Sequence, residues 1–313
     1  MTRIAVTGGA GFAGSALIRK LLKNDYEIVA IDTTGPNQAE LLRDVIESEK
    51  LTYKWKAIHD LHGCDFDGCE IVIHLAAEAN VPISFESPGW VVYQNVNGTV
   101  SLLESCKNVM LDKFIYAGSG AEWGQPLYLP IDEDHPLTPH NPYAFSKAAA
   151  ELACWAWYRA YKIPVTLMSN GIVIGPNMRK DGFVYKWLKN IILGKPVILE
   201  GGDQTRDVTY IEDAIDAWIK VVKAPGEKVT GQKFHISFGE EKSLEEILEI
   251  CFEVTGKKTN IIKVPHRPGE IGFRENCSIA KARSVLGYFP KLNCRESIRL
   301  SYEWINSLPQ KDL

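Results

Sequence analysis

Short apolar runs alternate with longer amphipathic stretches through the first half of the chain. Arg3 to Thr7 reads as a strand, and Gly11 to Lys23 follows it with apolar residues at three- and four-residue steps, the period of a helix burying one face. The pair recurs at Glu27 to Asp32 and Asn37 to Ser48. Further strands are predicted at Thr52 to Ile58, Ile71 to Leu75 and Lys113 to Ala117, with helices at Trp90 to Lys107 and Pro142 to Tyr161. Strand and helix in this order imply α/β class and a doubly wound parallel sheet. The rhythm breaks at Ile174-Gly175-Pro176, and beyond it the elements become shorter and mixed. Val208 to Val222 again reads as strand and helix, placed to return to the sheet, before final helices at Ser243 to Thr255 and Ile279 to Leu286. A smaller, discontinuous C-terminal lobe of mixed α/β structure is therefore expected.

Composition narrows the classes. With 313 residues, 45% of them hydrophobic, the chain can bury one large core or two smaller ones. The 35 Lys and Arg against 39 Asp and Glu leave a net charge of -4 and no basic block, which argues against a nucleic-acid partner. Met1 leads straight into Ile4-Ala5-Val6 with no leader pattern, and no apolar run approaches the roughly 20 residues of a membrane span. A soluble cytoplasmic protein with no membrane partner is expected. The seven cysteines are scattered singly; even Cys64 and Cys69 have four residues between them. Reduced, mostly buried thiols are expected, with no disulfide framework and no metal site.

Thr7-Gly8-Gly9-Ala10-Gly11-Phe12-Ala13-Gly14 lies between a predicted strand and a predicted helix, the context that makes a glycine pattern a dinucleotide fingerprint. One glycine permits the turn, one lets backbone approach a pyrophosphate, and one allows close helix packing, while the helix N-terminus offers free N–H groups. Asp32 ends the second strand 18 residues after Gly14, near the spacing of the acid that binds the adenosine ribose. Thr33 and Thr34 follow it with no cation for a 2′-phosphate, which favours NAD over NADP. The alternative is that Asp32 only caps the next turn. On these grounds residues 1–170 are expected to form a Rossmann-type NAD-binding domain with a return segment near 207–237, and residues 171–206 and 238–313 a substrate lobe.

Tyr143 and Lys147 are four positions apart and share one helix face, with Asn141-Pro142 as the helix start. A free tyrosine has a pKa of about 10, and lowering it by roughly 3 units takes about 4 kcal/mol of preferential phenolate stabilisation. The Lys147 ammonium and a positive nicotinamide ring are expected to supply it, so that Tyr143 exchanges a proton with a sugar hydroxyl. Alone, Tyr-x-x-x-Lys is more often an aromatic ring packed on a lysine stem; the glycine loop upstream reverses that judgement.

These motifs, with His74 to Ala77, Asn95-Val96-Asn97-Gly98-Thr99, Phe114 to Gly124, Gln204-Thr205-Arg206-Asp207 and Arg267-Pro268-Gly269-Glu270, span nearly the whole chain. Together they resemble the extended short-chain dehydrogenases/reductases, specifically the nucleotide-sugar epimerase and dehydratase family typified by UDP-galactose 4-epimerase. The resemblance implies a catalytic trio of Ser119, Tyr143 and Lys147. It places NAD against Gly8, Gly11, Phe12, Ala13, Gly14, Asp32, Asp60, Leu61, Leu75, Ala76, Ala77, Asn95, Tyr143 and Lys147. It assigns the nucleotide-diphosphate sugar, a UDP-sugar by preference, to Ser119, Tyr143, Asn170, Arg206, Arg267 and Glu270, with the two arginines on the diphosphate. It also implies a homodimer built from the helices at Trp90 to Lys107 and Tyr143 to Tyr161.

The same resemblance separates the reactions. Family 4,6-dehydratases carry an Asp-Glu pair directly after the catalytic hydroxyl, where this chain has Gly120 and Ala121; Glu122 is one step further and would need a local bulge to reach the sugar. The expectation is therefore a nucleotide-sugar 4-epimerase, with a 4,6-dehydratase or another sugar-modifying relative as the alternative. A reading from another class is a catalytically silent NAD-sensing protein, against which the intact Ser119, Tyr143 and Lys147 argue. Ser169 and Ile172 stand where an Arg-x-x-Asn is common, Trp123 where a Tyr is usual and Cys277 where an Asp is common, which points to a less typical sugar.

Overall fold

The computed structural model describes residues 2–309. Arg3–Thr7 (β1) is followed by helix Phe12–Lys23 (α1), and Glu27–Asp32 (β2) and Leu51–Trp55 (β3) come next with only short turns between them. Cys69–His74 (β4) precedes Val81–Glu86 (α2), Pro88–Val92 (α3) and Gly98–Cys106 (α4), the last two joined by one π-helical turn at Tyr93–Asn97. Lys113–Ser119 (β5), Pro142–Tyr161 (α5) and Val165–Asn170 (β6) complete the first half. The second half runs Ile172–Ile174 (β7), Phe183–Ile192 (α6), Val197–Glu200 (β8), Thr205–Tyr210 (β9), Ile211–Lys223 (α7), Gly226–Val229 (α8) and Gln232–Ile236 (β10). Glu241–Ser243 (β11), Leu244–Thr255 (α9), Ile261–Val264 (β12), Ala280–Leu286 (α10) and Cys294–Ser307 (α11) follow.

Seven strands form one wholly parallel sheet in the order β10-β6-β5-β4-β1-β2-β3, the expected doubly wound α/β architecture. Both faces are covered, so β1 is apolar at every interior position: Ile4 and Val6 pack with α1 and α7, and Ala5 packs on the opposite face with α4 and α5. Strand order reverses between β1 and β4, where a doubly wound sheet opens a crevice at the carboxyl ends of its strands. A third core, built from α6, α9 and α11 around Leu188, Ile247 and Ile298, supports the second half. Two small sheets, β11-β9-β7 and β12-β8, lie with it.

Three sequence expectations change. Asn37 to Ser48 forms isolated turns, because the Arg19 guanidinium of α1 takes the Leu41 carbonyl and the Asp44 carboxylate, leaving that carbonyl's bonding shared away from a helix ladder. The strand starting near Val208 joins the small sheet through β7, and the strand that enters the large sheet is β10, beside β6. The third strand stops at Trp55, because its partner β2 ends opposite at Asp32. Helices α6 and α11 have no counterpart in the sequence reading. Among the described residues no helix is long and apolar enough to cross a membrane. All seven cysteines are free thiols, six of them buried and only Cys64 exposed.

The glycine loop is closely packed. A Cβ on Gly14 would overlap the Gly8 carbonyl oxygen, whereas a Cβ on Gly89 in α3 would meet nothing within 4 Å. Gly14→Ala is expected to destabilise the fold by about 1–3 kcal/mol. Gly89→Ala is expected to be neutral or to stabilise by about 0.5–1 kcal/mol. Paired thermal unfolding curves check the contrast.

Candidate active site

The site is built where β1, β4, β5 and β6 end. Gly8 leaves β1 with φ of 69°, a left-handed conformation, and lies so close to the next strand's exit that a Cβ would stand 2.8 Å from the Ala76 nitrogen. Gly11 precedes α1, and Phe12, Ala13 and Gly14 form its first turn, whose N–H groups have no partner within the helix. The Asp32 carboxylate accepts the Ala10 N–H and the Thr34 N–H, both at 2.9 Å. It therefore caps its own turn and also stands against the glycine loop, so both sequence readings of Asp32 are compatible with its position. Bare backbone at Gly8 and Gly14, an open helix N-terminus and an adjacent carboxylate make a cradle that fits a dinucleotide pyrophosphate and its ribose.

The remaining expected cofactor contacts divide. Leu75 N–H bonds the Thr7 carbonyl, and Ala76 N–H bonds the Thr7 hydroxyl, which keeps this exit loop beside Gly8. Ala77 is exposed on the same loop. Asn95 is buried, and its amide accepts the Glu78 N–H and donates to the Glu78 carbonyl and the Ser146 hydroxyl, tying that loop to α5. Asp60 and Leu61 do not end a strand: Asp60 is exposed in a single 3-10 turn and Leu61 is a core side chain with Ala5 and Val29.

Asn141 caps α5 by accepting the Ala144 N–H at 2.8 Å, and Pro142 opens the helix, which fixes Tyr143 in the first turn. The Ser119 hydroxyl at the end of β5 faces the same cavity as Tyr143 and acts on its phenol. One turn on, the Lys147 ammonium donates to the Ala117 carbonyl at 2.5 Å and stands 4.4 Å from the Tyr116 ring centroid. Burial pushes the Tyr143 phenol above its ordinary value, with the Ser119 hydroxyl opposing it and Glu122 adding to it. The expected acidity is thus not achieved by the chain alone. Burial also draws Lys147 down, opposed by Glu122.

A cavity of about 370 Å³ opens in front of this pair. Ser119, Tyr143, Phe12, Asn170, Arg206, Arg267 and Glu270 all line it, so the expected sugar and diphosphate contacts come together from both halves of the chain. Arg206 is aimed by Glu270 at 3.0 Å and by the Thr205 carbonyl at 2.8 Å, and it stacks over Phe273 at 4.6 Å. Arg267 pairs with Glu200. Glu270 also accepts from Gln204, so its carboxylate orients Arg206 rather than standing free for substrate. Asn170 is oriented by the Trp218 indole and the Met168 carbonyl.

Two carboxyls bear on the choice of reaction. Glu122 does not bulge toward the sugar: it turns under the end of β5, where it accepts the Ser119 N–H at 2.9 Å and is fully buried. Glu275, unremarked in the sequence, lines the cavity instead, packed where a side chain on Gly120 would otherwise lie. Burial pushes its carboxyl up to about 8, with Arg206 opposing. Its strand-like segment is brought in by a bridge between Ile131 and Cys277, 146 residues apart, and no local pattern marks it.

The arrangement has close relatives. The profile of the NAD dependent epimerase/dehydratase family matches residues 4–237. A putative UDP-glucose 4-epimerase of Methanocaldococcus jannaschii is 34% identical over 97% of this chain and 98% of its own. The human dTDP-D-glucose 4,6-dehydratase is 30% identical over 96% of this chain and 89% of its own. The crystal structure of UDP-glucuronic acid 4-epimerase from Bacillus cereus, in complex with UDP-glucuronic acid and NAD, superposes with a TM-score of 0.92 at 28% identity, covering 98% of this chain and 100% of that one. This chain belongs to the NAD-dependent epimerase/dehydratase family of enzymes acting on nucleotide sugars, with NAD as cofactor.

Proposed function

We propose that the protein is a nucleotide-sugar 4-epimerase acting on a UDP-sugar. The observation that carries this reading is one cavity lined by Ser119 and Tyr143 together with Arg206 and Arg267, with no side-chain acid at residues 120 and 121. Gly8, Gly11, Phe12, Ala13 and Gly14 hold the cofactor's pyrophosphate, and Asp32 its adenosine ribose. Bound NAD supplies a hydride acceptor that returns the hydride to the sugar. Tyr143 Oη takes the proton of the C4 hydroxyl as oxidation proceeds, and Ser119 Oγ holds the same oxygen and relays the proton. The Lys147 ammonium favours the phenolate electrostatically. Arg206 and Arg267 anchor the diphosphate, so that the hexose can turn while the nucleotide stays bound. The proton then goes back from Tyr143 to O4 on the inverted centre.

Glu275 supports a second reading. A carboxyl that keeps its proton near neutral pH, set beside Ser119 where dehydratase relatives carry an acid, could act at C5 and C6. A stable 4-keto-6-deoxy product would favour that dehydratase chemistry. For assembly, we propose a homodimer: α5 leaves Phe145 and Leu152 exposed on one face, next to exposed Trp90 and Tyr93.

Incubation with a panel of UDP-, dTDP-, GDP- and CDP-sugars, with products resolved by NMR, is expected to give C4 inversion of a UDP-sugar. No inversion of any member contradicts the epimerase reading. Tyr143→Phe is expected to lower kcat by about 10²–10⁴-fold while NAD stays bound, since one acid–base group contributes on that scale; cofactor content and turnover on one preparation check it. Leu152→Glu is expected to convert the dimer to a monomer by size-exclusion chromatography with light scattering.

A further inference from the structure

Tyr143, Lys147 and Glu151 follow one another at four-residue steps on α5 and share one stripe of that helix. At the inner end of the stripe, Glu151 Oε2 accepts a hydrogen bond from Lys233 of β10 at 2.7 Å. The same ammonium stands 3.6 Å from Glu122 Oε2 and 5.1 Å from the Trp123 ring centroid. Glu122 accepts the Ser119 N–H at 2.9 Å and the Ser169 hydroxyl at 3.3 Å, and it shares the Lys233 ammonium with Glu151. Lys147, Glu151, Glu122 and Lys233 are each no more than 5% exposed.

Two buried carboxyls that share one ammonium disfavour each other's charge, so one of them tends to hold a proton. Glu151 has the shorter contact with Lys233, at 2.7 Å against 3.6 Å for Glu122. Glu122 is the member that burial and the Glu151 charge push upward, with Lys233 and Lys147 opposing. With Glu122 protonated, Glu151 balances Lys233, and the charge on Lys147 has no carboxylate of its own. If Glu122 ionises, it competes for Lys147 and repels a phenolate at Tyr143.

We propose that Glu122 is a positioning residue: while it holds a proton beside Glu151 and Lys233 the Lys147 charge serves the Tyr143 phenolate, and by losing that proton in the range where Tyr143 titrates it raises the pH at which Tyr143 ionises. The proposal rests on Tyr143 as the acid–base group. The other groups facing Tyr143 are the Ser119 hydroxyl and Arg179, which favour the phenolate, and Glu78, which opposes it. Around Glu122 and Lys147 stand Tyr116 of β5 and Cys154 of α5, both held neutral by burial. Glu122 and Tyr143 are therefore two acids competing for one buried cation.

The test is a pH titration of phenolate ultraviolet absorbance on the NAD-loaded protein, each background measured against its own Tyr143→Phe counterpart so that only this tyrosine is read. Glu122→Gln has the shape of the protonated acid; it retains an acceptor for the Ser119 N–H and gains a donor toward Glu151. It is expected to move the Tyr143 midpoint to lower pH by about one unit. Lys233→Met leaves Glu151 with only Lys147 as counter-charge and is expected to move the midpoint the other way. A loss of packing alone would not give opposite shifts. An unchanged or raised midpoint in Glu122→Gln overturns the proposal, and that result decides by itself if Lys233→Met does not fold. If Tyr143 in the unsubstituted protein ionises no earlier than an ordinary phenol at about pH 10, the acid–base reading itself fails first.

Discussion

The phenol that the proposed mechanism ionises is held in surroundings that resist the charge. Burial raises Tyr143, and the one cation on its own helix face, Lys147, is itself weakened by burial. Roughly 3 units of depression require about 4 kcal/mol of selective phenolate stabilisation. The Ser119 hydroxyl and Arg179 work toward that requirement, Lys147 stands one turn along the same helix face, and a bound positive nicotinamide ring would add to it. Proton transfer would then be poised only in the loaded protein, which suits a reaction in which the cofactor is recycled rather than exchanged.

The sheet puts these groups within reach of one another. β1, β4, β5 and β6 are neighbours and parallel, so the glycine turn, the Ala76 loop, Ser119 and Asn170 all emerge at one edge. The second half of the chain closes that edge with Arg206 on β9 and Arg267 and Glu275 on the segments that follow. Asp207, next to Arg206, accepts the Phe238 and Gly239 N–H groups and ties β9 to the chain leaving β10. The diphosphate clamp is thereby attached mechanically to the parallel sheet that carries the hydroxyl pair.

Much of this was legible in the residue pattern because its causes are local. The period-two and period-3.6 runs located β1, α1, β2 and α5, and Asn141-Pro142 located the start of α5 to the residue. Glycine spacing and the Tyr-x-x-x-Lys step carry their geometry with them. What was not legible depends on distant partners. Asn37 to Ser48 has helical periodicity but meets Arg19 of α1. The strand expected to reach Ile58 stops at Trp55 because β2 ends opposite it, and Asp60 lies in a 3-10 turn beyond. Glu275 reaches the cavity because it fills the volume that Gly120 leaves, while Glu122 is held under β5 by the Ser119 amide. Neither the buried Glu151–Lys233 contact nor the Ile131–Cys277 bridge has any neighbourhood in sequence.

The central claim is that Tyr143 and its cavity serve a reversible oxidation confined to one carbon of the sugar. Following a UDP-hexose labelled with deuterium at C4 tests it most directly, with the label located by NMR after equilibration. The account predicts that deuterium remains at C4 in both epimers and that no label is lost to solvent. Deuterium appearing at C6, or washed out of C4 into water, would contradict it.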